Sequence, residues 1–185
     1  MKIFSTTLIV LYFFLICATL NAQQVAKVSS PDGHLQLSVL VENGLPMYAV
    51  TYKGASILEN SPLGLTTNEG DFTAKMKFVE STTGEVRKQY VQDRIKHSFI
   101  TYNANTLTCT FTNADDRQIS VLFQISNNDI AFRYELPMWG ETRACVVSKE
   151  ATGFRFPSYT KSYLSHMMKP MEAFARTSPS YEAGY

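Results

Sequence analysis

The sequence predicts an all-β protein built as an antiparallel β-sandwich. Apolar residues alternate with polar ones at a period of two along most of the chain, helical stripes are nearly absent, and the alternating runs are short and punctuated by turn residues. Strands that bury one face and wet the other produce this pattern, whereas a parallel sheet with helical crossovers does not.

The first alternating run follows Ser30-Pro31-Asp32-Gly33, whose proline and glycine suit a tight turn, and it places Leu35, Leu37, Val39 and Val41 on one face. Met47 to Tyr52, between Gly44 and Gly54, are strand formers. Phe72, Ala74, Met76 and Phe78 alternate with Thr73, Lys75, Lys77 and Val79, which predicts a strand with a basic outer face. Ile95 to Tyr102 and Leu107 to Phe111 read as a hairpin bending at Asn103-Ala104-Asn105, because asparagine tolerates the positive φ of such bends. A second hairpin sets Ile119, Val121, Phe123 and Ile125 against Ile130, Phe132, Tyr134 and Leu136 across Asn127-Asn128-Asp129. One more short strand is expected from Ala144 to Lys149. Beyond Phe156 the alternation gives way to a tail rich in Ser, Pro, Met and Tyr, which predicts a sandwich incomplete at its C-terminus, part of something longer.

Ahead of the sandwich, Lys2 precedes an uncharged stretch from Ile3 to Leu20 whose heart is Leu8 to Ile16. A positive start, an apolar run and a small residue at Ala22 before Gln23-Gln24 form an export signal, so residues 1–22 are expected to be a cleaved leader and 23–185 a single domain. The run is at the short edge of a membrane span and contains Ser5, Thr6, Thr7 and Thr19, so no membrane association is expected after cleavage. The implied location is secreted or periplasmic.

Composition excludes several classes of function. Net charge is +1 without a run of like charges, so nucleic-acid binding is not expected. His34, His97 and His166 show no zinc-ligand spacing, and no Gly-x-Ser-x-Gly elbow or phosphate-cradling glycine cluster is present. Sugar hydrolysis needs two facing carboxylates, which sequence alone does not pair, and Asp115-Asp116 reads as a turn. Cys109 and Cys145 could form a bridge in an oxidising compartment or remain two buried thiols. Trp139, Tyr159, Tyr163, Phe174, Tyr181 and Tyr185 are placed where loop aromatics could stack on a sugar, or pack in a core or domain interface. No catalytic residue is assigned.

Several of these segments, in this order, resemble one family. Ser30-Pro31-Asp32-Gly33 with its strand, Tyr48-x-Val50-x-Tyr52, Leu63-Gly64-Leu65, and Arg117-Gln118-Ile119-Ser120 leading through Asn128-Asp129 to Ala131-Phe132-Arg133-Tyr134 are similar to the N-terminal domain of glycoside hydrolase family 97. The resemblance implies a galactose-mutarotase-like super-sandwich that precedes a catalytic (β/α)₈ barrel, in enzymes of the α-glucosidase or α-galactosidase type. It implies an oligosaccharide as substrate or ligand, the barrel of the parent enzyme as partner, and catalytic carboxylates on that barrel, leaving this chain inactive alone. It also implies that Glu182, in Ser180-Tyr181-Glu182, is a calcium ligand, calcium being a cofactor of the complete enzyme only. The alternative expectation is a free-standing secreted carbohydrate-binding or interaction module.

Overall fold

The computed structural model describes residues 22–92, 94, 99–139 and 144–163. Among them there are eleven strands and no helix. In chain order they are β1 (Gln23–Ser29), β2 (Leu35–Glu42), β3 (Leu45–Tyr52), β4 (Ala55–Pro62), β5 (Leu65–Thr67), β6 (Gly70–Asp71), β7 (Lys77–Val91), β8 (Phe99–Thr112), β9 (Gln118–Ile125), β10 (Ile130–Glu135) and β11 (Val147–Glu150). Two four-stranded antiparallel sheets, β1-β2-β3-β4 and β10-β9-β8-β7, form the sandwich, and a small sheet β11-β5-β6 lies beside them.

The period of two places the core. Leu37 and Val39 of β2, Tyr48 and Val50 of β3, Leu107, Cys109 and Phe111 of β8, and Ile119, Val121, Phe123 and Ile125 of β9 are all buried in one cluster. Each comes from alternate positions, so the inner faces of the two sheets meet as one apolar layer. Phe123 packs against Tyr48 and Phe132, with ring centroids 6.2 and 5.7 Å away.

Most expected strands are present, and three segments require correction. The alternation from Phe72 to Val79 is not one strand: β7 begins only at Lys77, while Phe72 and Met76 are buried from an irregular connection and Ala74 is exposed. Lys75 has φ 56° and the Met76 N–H donates to the Gly44 carbonyl at 2.8 Å, so the segment is held by the β2–β3 turn and not by a ladder. Asn103-Ala104-Asn105 does not bend. It lies inside the continuous β8, pairing with Arg87, Val86 and Glu85, and the Asn105 amide donates to the Ser29 carbonyl at 2.8 Å. Here asparagine serves the backbone of a facing strand, a role that composition cannot tell from a turn. The last expected strand is shorter and later than its alternation suggests, at Val147–Glu150, where it pairs with β5.

The Asn127-Asn128-Asp129 bend is as expected, with the Ser126 hydroxyl accepting from the N–H groups of Asn128 and Asp129. After β11 the chain returns along β4. Gly153 N–H donates to the Pro62 carbonyl at 3.0 Å, Glu59 N–H to the Arg155 carbonyl at 2.8 Å, and the Tyr159 hydroxyl to the Ser56 carbonyl at 2.9 Å. Tyr48 ties this segment to the core by donating to the Gly153 carbonyl at 3.0 Å.

Candidate functional site

Glu182, the expected calcium ligand, lies outside the described residues, as do His97, His166, Phe174, Tyr181 and Tyr185. Among the described residues no three of His, Cys, Asp and Glu converge as a metal site would require. A hard-cation site takes six or more oxygens, and the expectation for Glu182 rests on the resemblance alone.

Several titratable groups among the described residues serve the fold. Asp32 holds the turn before β2: the Ser30 hydroxyl donates to its carboxylate at 2.5 Å and the His34 N–H at 3.0 Å, with the His34 ring beside it at 3.0 Å. The Ser30 hydrogen bond, then that of the His34 backbone, hold the Asp32 carboxyl below its ordinary value. Asp115 and Asp116 form a turn whose N–H groups at 115 and 117 donate to Asn113 Oδ1, and Asp116 has φ 58°. Cys109 and Cys145 are both free thiols; burial pushes the Cys109 thiol up to about 12, while Cys145 is half-buried.

Trp139 is the aromatic most often expected of a sugar platform, yet one of its faces is taken. It stacks on the buried Phe72 with 5.5 Å between centroids and 11° between planes, and the Arg117 guanidinium lies 5.9 Å from its ring. Arg117 also bridges to the Glu69 carboxylate at 2.6 Å and donates to the Glu69 carbonyl. This cluster clamps the β5–β6 turn to the sandwich.

A groove of about 260 Å³ opens between β4 and β10. Leu35, Tyr48, Val50, Ile130 and Phe132 form its floor and walls, Phe154 overhangs it edge-on to Tyr48, and Asn128 and Asp129 stand at its mouth. Burial pushes the Tyr48 phenol up to about 12. Among the described residues Asp129 is the single carboxylate on the groove, and glycoside hydrolysis takes its acid and base from two facing carboxyls. Sequence periodicity marks these apolar residues as core; that they border an opening depends on how the edges of the two sheets meet.

A family model described as the glycosyl-hydrolase 97 N-terminal domain matches residues 28–185. The chain belongs to this family. Among solved structures, a β-arabinopyranosidase is 44% identical and superposes with a TM-score of 0.81 over 86% of this chain and 26% of its own. A glycoside hydrolase family 97 enzyme from Pseudoalteromonas sp. strain K8, seen with acarbose and as a variant with panose, is 25% identical at a TM-score of 0.66, over 72% of this chain and 20% of its own. This chain thus spans about a quarter of the first relative's length, and about a fifth of the second's. The antiparallel sandwich described above is the fold of that domain.

Proposed function

We propose that this chain is the N-terminal sandwich of an exported glycoside hydrolase that removes terminal sugars, and that hydrolysis is carried by a module this chain does not contain. The observation that carries the reading is the family match over residues 28–185, combined with relatives four to five times longer than the matched part. Residues 1–22 act as the leader that directs the chain to a secreted or periplasmic location.

For the substrate, an α-galactoside or the corresponding arabinopyranoside is favoured over an α-glucoside. The β-arabinopyranosidase is the relative with the higher identity, at 44%, and arabinopyranose shares the ring hydroxyl arrangement of galactose without its hydroxymethyl group. Glu182 supplies one carboxylate oxygen to a calcium ion whose other ligands come from the catalytic module. A carboxylate is a suitable hard ligand for that ion, and the ion would supply a fixed positive charge near the sugar. This chain alone would then hold calcium no more tightly than an isolated carboxylate does.

The test replaces the matching N-terminal quarter of the β-arabinopyranosidase by residues 23–185 of this chain. A folded chimera that hydrolyses p-nitrophenyl arabinopyranoside, while the isolated chain hydrolyses neither this nor the α-galactoside, supports the proposal. Turnover by the isolated chain, or a folded but inactive chimera, counts against it.

A further inference from the structure

β7 and β8 pair along their whole length, from Lys77↔Thr112 to Val91↔Phe99. β9 accompanies β8 only as far as Asn105↔Ile125. The six pairs from Val86↔Ala104 to Val91↔Phe99 therefore extend past the third strand as a two-stranded ribbon, roughly 20 Å long at the usual rise per residue. Near its base Pro31, from the turn after β1, lies close to Glu85, Arg87 and Asn103. Its far end carries Tyr90, Val91 and Phe99, which are 42%, 61% and 62% exposed.

Two-stranded ribbons are marginal in water without a packing partner, and strands that end in solvent are ordinarily blunted by charge. The nearer part of β7 follows that rule with Glu80, Glu85, Arg87 and Lys88, whereas the last pairs present apolar side chains.

Strand direction shows where the ribbon points. β9 ends and β10 begins at the ribbon's end of the sandwich, and the turn before β2 lies there too, with the Asp32 N–H donating to Asn127 Oδ1 at 3.0 Å. The β3–β4 turn at Lys53 and Gly54 is at the same end, since the Lys53 N–H donates to the His34 carbonyl at 2.8 Å. The returning segment runs antiparallel to β4, from Gly153 beside Pro62 to Tyr159 beside Ser56, and so reaches that end as well. Tyr163, the last of the described residues, is 94% exposed, and Phe156 and Tyr159 before it are 55% and 72% exposed.

We infer that the β7–β8 ribbon is an arm that clasps the module following the sandwich in the longer enzymes of this family, with Tyr90, Val91 and Phe99 packed on that module's surface. This rests on the proposed function above. The family domain is N-terminal and covers about a quarter of the first relative, so the following module is large. The returning segment carries the described chain toward the ribbon's end of the sandwich, as the hydrogen bond from Tyr159 to Ser56 shows. In those longer enzymes the following module belongs to the same chain as this domain, while a second copy of this chain does not.

The experiment measures hydrogen exchange of the paired amides of 86–91 and 99–104 in the isolated chain and in the active chimera. The arm predicts protection at least about tenfold greater in the chimera. Tyr90→Asp with Phe99→Asp should leave the melting temperature of the isolated chain unchanged, because both side chains are exposed. In the chimera the pair of substitutions should abolish the added protection and speed tryptic cleavage after Arg87 and Lys88 by about tenfold. Equal exchange in the isolated chain and in a folded, active chimera overturns the arm and leaves the proposed function standing. A folded, inactive chimera overturns the proposed function itself. Protection that rises with the concentration of the isolated chain, in step with dimerisation, overturns the arm in favour of self-association.

Discussion

Phe123 stands at the point where the two sheets interlock, and its replacement by alanine probes the sandwich most directly. Its side chain is 0% exposed and lies between the β3 residue Tyr48 and the β10 residue Phe132. Truncating such a buried phenylalanine costs about 3–5 kcal/mol through lost transfer energy and the cavity left behind. The upper part of that range is expected, because two aromatic contacts, each worth about 0.5–1.5 kcal/mol, disappear together. Against a total stability of about 5–15 kcal/mol, the loss is large enough to lower the urea midpoint severely. Trp139, the sole tryptophan, is stacked on Phe72 and provides a fluorescence signal away from the substitution, while far-ultraviolet circular dichroism follows the strands. Phe123→Leu should cost distinctly less than Phe123→Ala, since most of the volume remains. An alanine variant within about 1 kcal/mol of the parent, with unchanged denaturant slope, would refute the claim that these sheets share one core built around Phe123.

Three further outcomes are expected. Asp32 has a folded-state carboxyl below its unfolded value, so its contribution is present above the unfolded pKa and is lost as pH falls through the folded one. The gap in urea midpoint between the parent and Asp32→Asn should therefore be open at pH 7 and close toward pH 2; a gap that widens in acid would contradict the assignment. In the native protein without its leader, a disulfide-exchange reagent should titrate the half-buried Cys145 well before the buried Cys109, whose thiol is held near 12, and both should react after denaturation; rapid native labelling of two thiols would place Cys109 outside the core. Gly44→Ala should destabilise by more than Gly33→Ala. Both glycines have positive φ and incur about 1 kcal/mol on that account, but a Cβ at Gly44 would sit 2.9 Å from the Lys75 Cα, while Gly33 has open space. Equal melting temperatures for the two variants would deny the contact between the β2–β3 turn and the Lys75–Met76 segment.

The hairpin of β9 and β10 was legible in the sequence, because its two runs alternate cleanly and are separated by a compact Asn-Asn-Asp bend. β2 and β3 were legible for the same reason. β4 and most of β7 were not, since both are largely exposed and no buried face imposes alternation on their side chains. The small sheet of β5, β6 and β11 has too few residues to carry a period at all.

Residue identity and spacing by themselves determined the all-β class, the inner faces of β2 and β9, and the resemblance to the family whose domain model spans residues 28–185. Burial of one face of a strand acts on every second residue, so it is recorded locally and can be read without knowing what the strand packs against. Tertiary structure alone decided that Phe72 and Met76 are core residues without a strand, that Trp139 rests on Phe72, that Asn105 serves the backbone of β1, and that the β7–β8 pairing extends past β9 as a ribbon. Those facts depend on contacts between segments far apart in sequence, and such contacts leave no periodic mark on either partner.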